Sequence, residues 1–205
     1  AKERLFLALG NGSKASSAVV NTDDAWGRRL ADSGRIGVPV ITCGCGAGAA
    51  VRAVEEAPGP RGSMFRVLSP WGEARVTLGL LGHFNVLNAV AAFAAGGSLG
   101  VEPRVMAEAL GQVRTVPGRL EEVVTGREWR VFVDYAHTDD ALRNALRTLR
   151  AITPRRLIVV FGCGGSRDQS KRPLMGAAAA ELANHAILTS DNSRKEEPRA
   201  IIEQI

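Results

Sequence analysis

The sequence predicts an α/β protein of two units, and three observations carry that prediction. From Arg130 onward, short β-branched runs alternate with helical stretches, an order that implies a parallel sheet with right-handed crossovers. Each of those strands runs out into a polar cluster, which places functional side chains at strand carboxyl ends, where open α/β sheets bind ligands. Finally, Thr115-Val116-Pro117-Gly118 separates this regular series from a mixed α/β stretch before it, dividing the chain into residues 1–115 and 116–205.

With 205 residues, 45% of them hydrophobic and 23% charged, the chain can bury one or two cores, and disorder is not expected. The net charge of +5 favours anionic partners. The basic residues are scattered, and only six Phe, one Tyr and three Trp are available for stacking, which argues against nucleic acid and for nucleotides and carboxylates. Three cysteines make no disulfide framework, and the Cys43-x-Cys45 pair lacks the spacing or histidine company of a zinc site. A reducing cytoplasm is the expected setting. No apolar run reaches the length of a membrane span. The chain begins in charged, helix-like sequence and ends inside another helical stretch, so both ends read as cut.

In the first unit, residues 1–9 read as a helix, Gly10 to Ser13 as a turn and Ala18 to Asn21 as a strand. Asn21-Thr22-Asp23-Asp24 then caps a helix carrying Trp26 and Leu30. Val38 to Cys43 is a buried strand that runs into CGCGAGAAV; with no Lys-Ser/Thr behind it, this is a plain turn and not a phosphate loop. Ala57 to Ser63 reads as a loop, and Phe65 to Leu80 as a hairpin about Ser69-Pro70-Trp71-Gly72. Gly82 to Gly100 is an Ala-rich helix with Asn85 and Asn88 on one face of its first turn; helix capping accounts for one asparagine but not easily for both. A further helix opens at Pro103 and is expected to bury Val105, Met106, Ala109 and Leu110.

The second unit reads strand (Val131 to Asp134), helix (Asp139 to Arg150), strand (Leu157 to Phe161), helix (Pro173 to Ala183), strand (Ala186 to Thr189) and a helix from Pro198. Leu142, Leu146 and Leu149 form the inward stripe of its first helix. The run from Leu157 to Phe161 reads as a buried strand, and Gly162, Gly164 and Gly165 let the chain turn close to the sheet edge. Lys171 and Arg172 read as solvated loop charge.

Three polar clusters follow the three strands: Asp134 to Thr138, Gly162 to Arg172, and Ser190 to Arg194. A parallel sheet puts them on one edge, so that Asp134, His137, Arg167, Asn192 and Arg194 converge on one crevice. Arginine beside asparagine suits a carboxylate or an amino-acid zwitterion, because guanidinium offers a bidentate fork. Asp134 and His137 suit a nucleotide, the carboxylate accepting ribose hydroxyls.

VFVDYAHTDDAL, FGCGGSRDQSKRPLMG and TSDNSRKEEP, with VVNTDD, GHFNVLNAVAA and PGRLEEV before them, resemble in order the signatures of the Mur ligase family. The resemblance covers nearly the whole chain and points within the family to the ligases that add meso-diaminopimelate to UDP-MurNAc-L-Ala-D-Glu. It implies the rear part of a P-loop-type ATPase domain followed by a Rossmann-like parallel-sheet domain. Those ligases phosphorylate a carboxylate with ATP and Mg²⁺, and the amine of the incoming amino acid then attacks the acyl phosphate. Carried over by position, Asn85, Asn88, Arg119, Asp134 and His137 would contact ATP. Arg167, Asp191, Asn192 and Arg194 would hold diaminopimelate, Arg194 being the family's mark for its distal carboxylate. The phosphate loop, the Mg²⁺ ligands, the modified lysine and the uridine-nucleotide domain would lie upstream of Ala1, and the 205 residues alone would not turn over. A monomer is expected.

The sequence departs from the family pattern at Asp139 (usually Pro), Ser166 (usually Asp), Ser170 (usually Gly) and Ser193 (usually Pro). Two other readings stay open. One is a related ligase that adds lysine, or one of the folylpolyglutamate or cyanophycin type; the other is a non-catalytic module that binds nucleotide or amino acid.

Overall fold

A computed structural model describes residues 3–10, 14 and 16–205. The chain forms two compact units, Ala1–Thr115 and Val116–Ile205. In the turn expected at Gly10 to Ser13, residues 11–13 lie outside the described residues, as do residues 1–2 of the first helix.

The first unit contains α1 (Glu3–Leu7), β1 (Ala18–Asn21), α2 (Ala25–Ala31), β2 (Val40–Gly44), β3 (Val51–Gly59), β4 (Gly62–Ser69), β5 (Gly72–Leu78), α3 (His83–Ser98) and α4 (Pro103–Gln112). Its sheet runs β1-β2-β3-β4-β5, parallel through β3 and antiparallel beyond it. Alternate residues of the strands, among them Val51, Ala53, Phe65, Val67 and Val76, meet Val86, Val90 and Phe93 of α3 in one core. Asp24 caps α2 by accepting from the backbone N–H groups of Trp26 and Gly27.

Two expectations fail here. Ala57 to Ser63 is not a loop: β3 and β4 continue through Pro58↔Ser63 and Gly59↔Gly62 to a tight turn. Glycine and proline composition suggested a loop, but antiparallel pairing over a half-buried face overrides it. Gly62 is required at that turn, since a Cβ there would stand 2.0 Å from the carbonyl oxygen of Leu78. In α4 only Met106 is buried; Leu110 is partly buried, and Val105 and Ala109 are exposed, because the helix packs by a single narrow stripe.

The second unit contains β6 (Glu121–Val123), β7 (Val131–Val133), α5 (Asp139–Ile152), β8 (Ile158–Phe161), α6 (Lys171–Leu182), β9 (His185–Leu188) and α7 (Pro198–Glu203). β8 and β9 are parallel, as the strand–helix order predicts. β7 is not laddered to them among the described residues; it pairs antiparallel with β6, a strand formed by the PGRLEEV segment. Short-range ties fix that pairing: Leu120 N–H donates to Asp134 Oδ2 at 2.9 Å and Tyr135 N–H to the Gly118 carbonyl at 2.8 Å.

Leu142 and Leu146 of α5 and Met175 and Ala178 of α6 pack with Leu157, Cys163 and Ile201. The run from Leu157 to Phe161 is therefore buried on one side only, and its other face leaves Ile158 and Val160 exposed. α6 begins at Lys171, not at Pro173; a proline in the first turn removes only an N–H that has no partner within the helix. No helix among the described residues is long and apolar enough to cross a membrane.

Phe93, 1% exposed, is with Phe65 one of the two phenylalanines buried in the first core. Phe93→Ala is expected to lower unfolding free energy by about 3–5 kcal/mol. Trp26→Ala, at a residue 76% exposed, should stay within about 0.5 kcal/mol. Urea denaturation followed by circular dichroism checks both.

Candidate functional site

The carboxyl ends of β8 and β9 are knitted together by their loops. Gly165 N–H donates to the Asn192 carbonyl at 2.9 Å, and Arg194 Nη1 donates to the Gly165 carbonyl at 2.8 Å. The approach is so close that a Cβ on Gly165 would stand 1.9 Å from the Ser193 carbonyl oxygen, and one on Gly162 2.2 Å from that of Thr189. Glycines at these positions admit the neighbouring loop, and Arg167, Asp191, Asn192 and Arg194 are left exposed along the joined rim.

Under the rim lies a residue that the sequence misreads. Arg172 is no solvated loop charge: its side chain is 0% exposed. Its Nη1 donates to Glu196 Oε2 at 2.9 Å and to Gln204 Oε1 at 2.5 Å, and its Nη2 to Glu196 Oε1 at 3.1 Å. Nη2 also reaches the Gly164 carbonyl at 3.4 Å, while Nε has no partner among the described residues. Glu196 in turn accepts from Ser166 N–H and from Gln169 Nε2. The Arg172 guanidinium and the Ser166 N–H hold the Glu196 carboxyl below the usual carboxylate range.

Asp168 lies beside Arg167 and accepts from both N–H and Oγ of Ser170, at 2.9 and 2.6 Å, which lowers its pKa and closes the loop into a turn. Lys171, also taken for loop charge, is half-buried and donates to the His137 carbonyl. That bond, not a strand ladder, links the loop after β7 to the start of α6.

Around β7, Asp134 is half-buried with Oδ2 engaged by Leu120 N–H, so it fixes the turn that carries the exposed Arg119. His137 is exposed; its Nδ1 lies 3.0 Å from the Tyr135 carbonyl, which can only accept. Nδ1 therefore donates to that carbonyl, and Nε2 is the ring nitrogen left facing outward. In the first unit, Asn85 is 2% exposed and its amide donates to the Leu81 carbonyl at 2.8 Å, tying down the entry to α3. Asn88 donates to Asn85 Oδ1 at 3.4 Å and is exposed, which leaves it the more available of the two.

Comparison with known proteins fixes the family. The model of the Mur ligase middle domain matches residues 1–96, and that of the Mur ligase glutamate ligase domain matches residues 118–205. The chain belongs to the Mur ligase family.

It is 44% identical over 206 residues to the UDP-N-acetylmuramoyl-L-alanyl-D-glutamate–2,6-diaminopimelate ligase of Streptomyces avermitilis, with 98% of this chain and 39% of that protein covered. The ligase of the same name from Geobacter sulfurreducens is 44% identical over 208 residues, with 100% and 40% covered. The chain thus spans about two fifths of the length of these relatives. A solved diaminopimelate ligase structure is 36% identical at a TM-score of 0.62, covering 99% of this chain and 42% of that one. Mycobacterium tuberculosis folylpolyglutamate synthase, solved with ADP and AMPPCP, shares the fold at a TM-score of 0.75 and 20% identity, with 93% and 42% covered.

Mur ligase chemistry implies Mg²⁺. Among the described residues the one grouping of His, Cys, Asp and Glu that could hold an ion is Cys45, Glu56 and His83. A thiol is a poor ligand for a hard cation that seeks oxygen, so this group does not fit Mg²⁺ and no phosphoryl step passes through it.

The depressed acidity of Glu196 has a sign that can be tested. A carboxyl whose pKa is lower folded than unfolded adds stability above its unfolded value of about 4.3, and that stability is lost as pH falls through the folded value. Wild type should therefore lose thermal stability steeply below about pH 4. In Glu196→Gln the midpoint should already be lower at pH 7, with a flatter acid limb. Thermal unfolding monitored from pH 3 to 7 measures both.

Proposed function

We propose that this chain supplies nucleotide and amino-acid contacts of a cytoplasmic Mur ligase of peptidoglycan synthesis, one that adds meso-diaminopimelate to UDP-MurNAc-L-Ala-D-Glu using ATP. In that reaction the γ-phosphoryl group moves to the substrate carboxylate. The diaminopimelate amine then attacks the acyl carbon and phosphate leaves. The single observation that carries the reading is the interlocked rim of the β8 and β9 loops, in a chain 44% identical to ligases of that name.

The chemistry of the rim supports an amino acid with two carboxylates. Arg194 spends Nη1 on the Gly165 carbonyl, which fixes the guanidinium plane, while Nη2 and Nε carry no partner among the described residues. A guanidinium held this way offers a preset fork to a carboxylate. Arg167 has no ion pair in the described structure, so the rim keeps two cations for an anionic ligand. Asn192 and Asp191 supply an amide and an acceptor for the ammonium groups. On this reading Asp134, His137, Arg119, Asn88 and Asn85 serve ATP. Asn85 acts through Asn88, because its own amide is held by the Leu81 carbonyl. His137, with Nδ1 against the Tyr135 carbonyl, presents Nε2 for a nucleotide contact. Positioning and charge complementarity, not covalent chemistry, are what these residues contribute.

Calorimetric titration of meso-diaminopimelate and lysine separates the selector from the rest. Loss of a charge-assisted bond of about 1.5–3 kcal/mol predicts that Arg194→Ala weakens diaminopimelate by roughly 10- to 100-fold. Lysine, which lacks the distal carboxylate, should bind weakly and equally to both proteins. Equal binding of both ligands by wild type and Arg194→Ala overturns Arg194 as the selector. Retention of ATP binding by the same variant would show that the nucleotide contacts are intact.

A further inference from the structure

Cys45, Glu56 and His83 come from three separate elements, and their ligand atoms lie within 4.8 Å of one another. Cys45 follows β2 and sits two residues beyond the buried Cys43. Cys45 packs against the same core.

Glu56 reaches this face through a bulge. Register with β4 shifts between Val54 and Ala57, Val54 pairing with Arg66 and Ala57 with Met64, so that Glu55 and Glu56 together oppose Phe65. Glu55, at φ +56, turns outward to Arg66 with a contact of 2.6 Å. Glu56 turns inward and its Oε2 lies 2.7 Å from His83 Nδ1, at the first residue of α3. The side chain of Glu56 is 23% exposed and that of His83 57%.

We propose that Cys45, Glu56 and His83 form a binding site for a borderline-soft divalent cation of the Zn²⁺ class. Thiolate, imidazole and carboxylate are the zinc donor set, whereas Mg²⁺ and Ca²⁺ take oxygen alone. Zinc–ligand distances of about 2.0–2.3 Å place tetrahedral ligand atoms roughly 3.3–3.8 Å apart, within reach of small side-chain rotations. His83, at the solvent end of the group, leaves an open side where water completes a fourth position.

An outer shell is already built. Asp23 accepts from Cys45 N–H at 2.7 Å and from Gly46 N–H at 2.9 Å, fixing the backbone that carries the thiol. Gly44 is what lets Asp23 seat there, since a Cβ would stand 2.5 Å from Asp23 Oδ1. Burial, with the charges of Asp23 and Glu56, pushes the metal-free Cys45 thiol up to about 11. The negative surroundings that disfavour a thiolate favour a cation beside it. The sequence hides this site because its histidine company lies 38 positions beyond Cys45, not in a spaced motif. The site is independent of the ligase reading and of the rim in the second unit.

The test uses the full 205-residue chain under reducing conditions, with Zn²⁺ titrated by calorimetry and Co²⁺ as the spectroscopic probe. One equivalent of Zn²⁺ should bind, and Co²⁺ should give a thiolate charge-transfer band with intense tetrahedral visible absorption. Cys45→Ser should abolish that band. Glu56→Gln, nearly isosteric, and His83→Ala should each weaken Zn²⁺ by at least the roughly tenfold that loss of an outer partner costs. Far-ultraviolet circular dichroism confirms that each variant is folded. A band that survives in Cys45→Ser overturns the proposal, as does zinc binding unchanged in both Glu56→Gln and His83→Ala. Absence of zinc binding by wild type overturns it outright.

Discussion

The loop edge of the second unit hangs on one charge pair, the buried Arg172 with the half-buried Glu196. A guanidinium shut away from water is tolerable only where its charge and N–H groups are met, and removing one partner leaves the other uncompensated. Here a single carboxylate from the loop after β9 serves Arg172 together with Ser166 and Gln169 of the loop after β8. The pair therefore locks two loops that are far apart in sequence into one rim. Its incomplete satisfaction is equally informative, since Arg172 Nε remains without a partner among the described residues. The interaction sets geometry and is a weak source of net stability.

That division of labour explains how several arginines in one place avoid cancelling a binding site. Arg172 is neutralised below the surface, while Arg167 and Arg194 stay exposed without a carboxylate of their own among the described residues. Ser170, where the Mur ligase pattern usually has glycine, adds a hydroxyl bond to Asp168 and strengthens the turn after Arg167. This departure supports the rim. Ser166, in place of the usual acid, retains the backbone N–H that Glu196 needs, so that contact does not depend on the side chain at this position.

The sequence made the rim legible because strand alternation and polar strand ends are local signals. The β8 and β9 loops meet where the order of elements places them, with Gly162 and Gly165 at the points of closest approach. What stayed illegible depends on partners distant in the chain. Lys171 and Arg172 are adjacent cations in a charged segment, and nothing local distinguishes the half-buried one from the fully buried one; Glu196, 24 residues on, does. The same holds for β3, whose Ala57-Pro58-Gly59 end reads as loop until β4 pairs with it. β6 was hidden for a related reason: a three-residue strand carries too little alternation to announce itself, and its pairing with β7 is set by the Asp134 and Tyr135 contacts.

Backbone strain gives an independent map of the same places. Among the described residues, four that are not glycine have positive φ: Glu55, Leu120, Ser166 and Arg194. Such conformations persist only where surrounding contacts over-determine them, and they collect at functional positions. Leu120 is held by Asp134 next to Arg119, and Ser166 by Glu196 next to Arg167. Arg194 is held through Gly165 and belongs to the rim itself, while Glu55 is held by Arg66 and turns its neighbour Glu56 inward to His83. Three of the four thus lie within or beside the proposed ligand contacts, and the fourth creates the bulge under the cation site. Each of these residues is more restricted in the left-handed region than glycine would be, and each directs a neighbouring or its own functional side chain. The strain is thus the local cost of aiming those side chains, offset by the hydrogen bonds and ion pairs that hold each turn in place.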